Sequence, residues 1–354
     1  MQKLGMKQFF EKYQIKDKVI AVGVSGGADS LALALRLKEC GKKVVALTVD
    51  HGLRKESAKE AAYVAEVMKE QGIEHHILQW EGVKPTHGVE ESAREARYHL
   101  LFDFCKKHQI WVLATGHHLR DQAETFLLRL ARGSGVFGLS GILPVSDREG
   151  ITVIRPQLDV APEELRKYLS GKGIRWVEDP MNQDEDFMRV KIRKFLPKLA
   201  EIGLNEKRLS ETAATLLKTR IFLQQKVDAF IKDHVRLWEE TVVALSWNKL
   251  KNLPQEVALP VLGQLLQRIG KAPYVSEAEE LQRVLENGDQ FKGCTLGNCE
   301  LLVAAKRLWI VPQDRTNRLM PKQEWDAFVK EHPAYRHCGF PYKVRRALKN
   351  KMRD

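Results

Sequence analysis

The chain has 354 residues, 44% of them apolar, and a formal net charge of +12. That length allows a sizeable core and two or three domains, and the charge points to a polyanionic partner, nucleic acid first, or to solubility alone. Five cysteines (Cys40, Cys105, Cys294, Cys299, Cys338) with no C-x-x-C pair argue against a disulfide framework or zinc knuckle; the charged N-terminal stretch does not read as a signal peptide, and no run of 18 uncharged apolar residues predicts a membrane span, so a soluble cytoplasmic protein is expected.

In chain order, KVIAVGV (18–24) is a short β-branched run that predicts a buried strand, and SLALALRLKEC (30–40) a helix stopped by Gly41. Strands follow at 43–49, 74–80, 110–116 and 151–156, alternating with helices at 54–71, 89–108, 119–133 and 161–173. This alternation predicts an α/β fold, a doubly wound and mostly parallel sheet with helices on both faces. The segment 187–200, FMRVKIRKFLPKLA, reads as a basic helix. From about 205 the alternation stops: one long helix (205–235), two more (253–270 and 276–288), then two short strands in CELLVAAKRLWIVPQ (299–313) around a Lys-Arg turn. The expected organisation is therefore a catalytic domain at 1–204, a helical domain at 205–290 and a small β region with a basic tail at 291–354. The tail KVRRALKNKMRD is expected to be mobile or to contact nucleic acid.

Ligands of such sheets sit outside the carboxyl ends of the strands. Those ends carry SGGADS (25–30), DHGLR (50–54) and TGHHLRDQAE (115–124), which should face one crevice. SGGADS lies between a strand and a helix, where glycines let backbone N–H groups approach a phosphate. It lacks the G-x-x-x-x-G-K-[ST] spacing and the lysine that reaches a γ-phosphate. A pyrophosphate gripped by backbone, hydroxyls and a metal suits it; a tight turn capped by Ser25 or Asp29 is the plain alternative. Asp121 and Glu124, spaced i, i+3, share a helix face near its N-terminus, where a solvated acidic turn is also favoured by the helix dipole. His117 and His118 are adjacent, so on a strand they point opposite ways, which favours substrate hydrogen bonding or a structural role over a shared metal.

SGGADS matches the SGGxDS loop of the ATP-pyrophosphatase (PP-loop) enzymes. With VDHGLR (49–54), ESAREARY (91–98), LATGHH (113–118), DQAETFLLRLARGSGVFGLSG (121–141) and RVKIRKFLPKL (189–199), the chain resembles, more narrowly, the tRNA(Ile)-lysidine synthetases. The resemblance covers most of 18–200 and only loosely the part after 205. It implies that ATP activates C2 of the cytidine at the first anticodon position of a CAU-bearing tRNA(Ile), and that the ε-amine of L-lysine then displaces AMP. It implies ATP contacts from Ser25, Gly26, Gly27, Ala28, Asp29, Ser30, Asp50, His51, Gly116 and His117, and Mg²⁺ handled by Asp29. Arg97 (from the A-R-x-x-R-Y pattern that also holds Arg94 and Tyr98), Asp121 and Glu124 take catalytic and lysine-binding roles, with Asp29 also catalytic. Arg120 departs from the family's frequent Asp, which puts a first carboxylate in doubt and adds a cation near the phosphates.

The glycine-rich stretch RGSGVFGLSG (132–141) is expected to form a flexible flap over a splayed-out wobble base. Arg129, Arg132, Arg189, Lys191, Arg193 and Lys194 are expected to line a tRNA groove, although charge runs are more often solvated faces. The sequence leaves oligomeric state open, a homodimer included. Rival readings are a tRNA-thiolating PP-loop enzyme, disfavoured by the lack of paired cysteines, an amidotransferase-coupled ligase, for which no glutaminase domain is visible, and a non-catalytic nucleotide or tRNA-binding module.

Overall fold

Four apolar runs, each flanked by glycine or polar turns, form the middle of the main sheet. The computed structural model describes residues 5–52, 57–81, 89–178, 188–272, 278–314, 322–335, 338 and 340–351. Its elements run α1 (Met6–Lys12), β1 (Val19–Gly23), α2 (Ala28–Glu39), β2 (Lys43–Asp50), α3 (Ser57–Glu70), β3 (Glu74–Gln79), α4 (Val89–Lys107), β4 (Val112–Ala114), α5 (Leu119–Ala131), α6 (Val136–Leu139), β5 (Val145–Arg148), β6 (Ile151–Ile154), α7 (Pro162–Ser170), α8 (Met188–Glu201) and α9 (Glu206–His234). The six strands lie in the order β3-β2-β1-β4-β6-β5. All pairs are parallel except β5–β6. Along β1, Ile20 and Val22 enter one core with Leu31, Leu35 and Leu165, while Ala21 enters another with Tyr98, Leu101 and Phe102. That alternation is the two-residue period of a strand buried on both faces.

Strand order reverses at β1, which has β2 on one side and β4 on the other, so the loops after β1, β2 and β4 leave the sheet side by side. A crevice between β1 and β4 is where such sheets hold ligands. The edge strand β5 is absent from the sequence reading; it turns into β6 through Glu149 and Gly150, both with positive φ (52° and 80°), a tight hairpin turn.

Contacts divide the chain into two compact units, 1–220 and 221–354, rather than at 205 and 290. The first change falls inside α9, because α8 and the first half of α9 pack on α5 through Leu196, Leu209, Ala213 and Phe126. The second disappears because the segment expected to be purely helical contributes two strands. The second unit holds β7 (Val235–Trp238), β8 (Val242–Ser246), α10 (Trp247–Lys251), α11 (Gln255–Gly270), α12 (Ala278–Glu286), β9 (Gly293–Leu296), β10 (Cys299–Ala304), β11 (Arg307–Pro312), α13 (Lys322–Glu331) and α14 (Tyr342–Lys351). Its antiparallel sheet, ordered β7-β8-β11-β10-β9, therefore joins both expected regions. The β7–β8 turn is Glu239-Glu240, with φ of 48° and 51°, and the β10–β11 turn is Ala305-Lys306, not Lys-Arg, with φ of 51° and 61°. Neither pair carries the Asn-Gly signature of such turns.

The basic tail is helical rather than mobile over most of its length. Residues 342–351 form α14, with Val344 and Leu348 buried and Lys349 paired to Glu324. Its Lys343 and Arg346 meet the buried Glu300, and Arg346 also meets Asp314 at 2.9 Å. Among the described residues no helix is long and apolar enough to cross a membrane.

Candidate active site

The SGGADS loop is tied to itself. Ser30 Oγ accepts from the Ser25 amide (3.1 Å) and donates to the Gly27 carbonyl (3.0 Å). Gly26 has φ +84°, and a side chain there would stand 3.2 Å from Val64 and 3.4 Å from Val177. Glycine is required by conformation and by space. Gly27 caps α2 and Asp29 lies in its first turn, so the free amides of the helix start face the crevice. Gln157, just after β6 and fully buried, donates to the Asp29 carbonyl (3.1 Å) and accepts from Arg36 (3.0 Å).

The neighbouring strand ends close on this loop. A Cβ on Gly116 would come within 3.0 Å of the Ser30 amide nitrogen, so β4 approaches the start of α2 backbone to backbone. After β2, Asp50 Oδ1 accepts from the Gly52 amide (3.0 Å) and the Ser57 hydroxyl (2.6 Å), holding the turn that carries the half-buried His51. Arg54 of the DHGLR stretch lies outside the described residues.

His118 organises the meeting point. It is buried and caps α5: its Nδ1 accepts from the Asp121 amide (3.3 Å) while Asp121 Oδ2 accepts from the His118 amide (3.0 Å). Its Nε2 lies 3.5 Å from Asp29 Oδ2 and its Nδ1 3.5 Å from Asp121 Oδ2. One imidazole thus joins the loop acid to the α5 acid. Burial presses its pKa down, but Asp29 and Asp121 outweigh that and the net shift is upward. His117 goes the other way: burial dominates, Asp121 opposes it only in part, and nearby Arg155, Arg94 and Arg189 add to the fall, to about 4. A neutral imidazole there shares a proton with Thr115 Oγ1 at 2.9 Å.

Asp121 and Glu124, expected on one face, occupy different surroundings. Asp121 is partly exposed toward the crevice side of α5, whereas Glu124 is fully buried beneath α8. Arg193 Nε donates to Glu124 Oε1 (2.8 Å) and Arg189 lies 3.7 Å from Oε2. These two arginines, expected in a tRNA groove, therefore turn toward an acid, while Arg132, Lys191 and Lys194 are exposed. Arg97 is exposed on α4, and Arg94, one turn earlier, lies over the Tyr98 ring at 5.4 Å. Arg120 does not supply a cation to the phosphate loop; it binds Glu206 at 2.6 Å and Glu163, stapling α5 to the starts of α9 and α7. The glycine-rich 132–141 stretch is pinned rather than loose. Gln122 exchanges two hydrogen bonds with Ile142 (2.6 and 3.1 Å), and Arg220 donates to the Phe137 carbonyl (2.8 Å) and Ser140 (3.0 Å).

Sequence reasoning missed Gln157 and Arg155, because a single polar residue after a strand carries no motif. Their signal was position alone, at the carboxyl end of β6. All five cysteines are free, and burial raises the thiol pKa of Cys105 and Cys299 to about 12, which leaves both unreactive.

A parallel sheet with a glycine loop, helix start and acid at its switch point defines a PP-loop nucleotide-binding protein, and residues 2–200 match the PP-loop domain family. The fold is shared with the U34-tRNA thiolase NcsA from Methanococcus maripaludis, at TM-score 0.53 and 20% identity over 61% of this chain and 78% of that one. Curated relatives are narrower in kind. The tRNA(Ile)-lysidine synthase of Ruegeria pomeroyi is 36% identical over 82% of this chain and 70% of its own length. That of Methylobacterium nodulans is 37% identical over 83% and 90%. The chain belongs to the tRNA(Ile)-lysidine synthase family, a group of ATP-using tRNA-modifying enzymes.

Proposed function

We propose that this protein ligates L-lysine to C2 of the first anticodon cytidine of a CAU-bearing tRNA(Ile), in the cytoplasm, consuming ATP and releasing AMP and pyrophosphate. The observation that carries this reading is the His118 bridge, which brings the loop acid Asp29 and the α5 acid Asp121 to opposite sides of one ring, each at 3.5 Å. A nucleotide sensor has no need of the second acid.

In the first half-reaction the cytidine O2 attacks the α-phosphate and pyrophosphate departs. The amides from Gly26 to Ser30, at the start of α2, stabilise the leaving charge. Asp29 Oδ1 is buried without a hydrogen-bond partner, an acceptor that fits a cation. Mg²⁺ is a cation bound largely by phosphate oxygens and water, so a single protein carboxylate beside the phosphates is enough to engage it. When bound at Asp29, Mg²⁺ would supply charge neutralisation to the phosphates.

In the second half-reaction lysine Nζ bonds to C2, the C2–O bond breaks, and AMP leaves with the oxygen. Free lysine is a cation at neutral pH and must lose a proton to attack. Asp121 holds the ammonium, and its proton passes to a base before the amine attacks. Arg97 neutralises charge on the adenylate. Glu124 acts through Arg193, positioning α8 beside α5, and reaches lysine only if Arg193 releases it. Exposed Arg132, Lys191 and Lys194 contact the tRNA backbone.

The test incubates the protein with ATP, Mg²⁺, labelled lysine and tRNA(Ile) bearing CAU. Label should enter the RNA, and Asp29→Ala should stop pyrophosphate release while tRNA binding persists. Absence of label from authentic tRNA would refute the assignment.

A further inference from the structure

One side chain just beyond β6 reaches the backbone of the phosphate loop. Gln157 is fully buried, in a stretch whose neighbours Leu158 and Val160 feed the core. An apolar side chain would bury there with no hydrogen bonds to satisfy, whereas a buried amide must have partners for its polar ends. Helix α2 supplies both. Nε2 donates to the carbonyl of Asp29 (3.1 Å), in the first turn, and Oε1 accepts from Arg36 Nη1 (3.0 Å), further along the same helix. These partners fix which way the amide lies. A carbonyl only accepts and a guanidinium only donates, so a flipped amide would lose both bonds.

The main chain of the same residue holds the other half of the site. Gln157 pairs with His118 in an isolated parallel bridge. The turn from Gln157 to Val160 is closed by the Val160 amide on the Gln157 carbonyl (3.0 Å), and the Val160 carbonyl accepts from the Leu119 amide (3.0 Å). The chain at 157–160 is thus bound to the cap of α5 by its backbone and to the first turn of α2 by one side chain. Those two helix starts carry His118 and Asp29, whose side chains lie 3.5 Å apart. The ladder between β1 and β4 ends at Val22 and Ala114, short of both residues.

We infer that Gln157 is a positioning residue for the adenylation half-reaction: its amide, locked by Arg36, holds the first turn of α2 in register with the cap of α5 and so sets Asp29 against His118. This rests on the proposed part of Asp29 in pyrophosphate release, and it extends that part to two residues acting through the main chain of Asp29. ATP itself meets the loop amides, and the bonds of Ser30 to Ser25 and Gly27 keep the loop in shape without Gln157. Loss of the amide therefore slows the step more than it weakens ATP binding.

The experiment measures pyrophosphate release by the full-length protein with ATP, Mg²⁺ and CAU-bearing tRNA(Ile), together with urea unfolding. Gln157→Leu removes both bonds. Gln157→Glu keeps the shape and an acceptor for Arg36 but turns an oxygen toward the Asp29 carbonyl. Both should lower kcat about tenfold with KM for ATP within about twofold, since a full ångström of misplacement costs about a hundredfold. Leu158→Ala, a cavity in the same turn, should lower the urea midpoint and leave kcat within about twofold. Arg36→Met frees the amide to turn; it should lower kcat about threefold in wild type and have no further effect in Gln157→Leu. Arg36 is partly exposed, so Arg36→Met carries the test if the buried position does not tolerate change. An unchanged kcat in Gln157→Glu or in Arg36→Met overturns the positioning role while leaving pyrophosphate release standing. A fall in kcat as large in Leu158→Ala as in Gln157→Leu also overturns it, by reducing Gln157 to packing. So does an Arg36→Met effect of equal size with and without Gln157. A wild type that releases no pyrophosphate overturns both this role and the activity it serves.

Discussion

Replacing Gly116 by alanine tests the closeness of β4 to the phosphate loop. The added Cβ would lie 3.0 Å from the Ser30 nitrogen and 3.1 Å from both the Asp29 carbonyl carbon and the Ser30 Cα. All three atoms are backbone, so no side chain can rotate away. The start of α2 or the end of β4 must move by a few tenths of an ångström. Overpacking of this kind costs about 1–3 kcal/mol, and the lower entropy of the unfolded alanine chain returns about 0.4–1 kcal/mol. A net loss of about 1–2 kcal/mol is expected in urea unfolding, with an unchanged m-value. The same displacement shifts Asp29 and the loop amides. Misplacement by a full ångström costs about a hundredfold in rate, so a loss of about tenfold in pyrophosphate release is expected. Gly23→Ala is the control: it lies in the adjacent strand β1, and its Cβ would meet only Leu101 Cδ1, at an ordinary 3.6 Å. It should stay within about 0.5 kcal/mol of wild type. A Gly116→Ala protein as stable and as fast as Gly23→Ala would refute the reasoning.

Arg120→Ala should lower stability by about 1–2 kcal/mol, since the pair with Glu206 is partly buried and the one with Glu163 largely exposed. A double-mutant cycle with Glu206→Gln that shows no coupling would contradict the staple. His117 has a folded pKa near 4 against an ordinary 6.5, so protonation favours the unfolded chain. Its contribution is fully present above about 6.5 and lost as pH falls toward 4; stability should therefore drop more steeply over that window in wild type than in His117→Gln, and parallel curves would count against a buried neutral imidazole. Binding of tRNA should weaken with salt; for roughly five phosphate contacts the log–log slope is about −3.5 to −4.5, and a flat response would remove the exposed basic residues from the docking surface.

The parallel sheet was legible because its strands are apolar runs separated by helices of regular period. The phosphate loop was legible because a chain that brings its amides to a phosphate needs glycines in a fixed order. β5, β7 and β8 were not. Their hairpin turns use Glu149-Gly150 and Glu239-Glu240, and no local chemistry announces a left-handed glutamate pair; pairing with the neighbouring strands holds it there. The basic tail likewise looked free because charge dominates its composition. Two buried apolar positions and the acids Glu300 and Glu324 fold it as a helix.

Residue type and spacing thus placed Asp29 and Asp121 in the first turns of the helices that follow β1 and β4, with Glu124 one turn further along α5. Tertiary structure alone decided their settings, because burial and pairing depend on which helix packs where. Packing of α8 on α5 encloses Glu124 under Arg193, while the same helix α5 leaves Asp121 at the crevice beside His118. Arg155 carries no motif in the chain. Only the pairing of β5 with β6 brings it to the Leu143 carbonyl and Ser146.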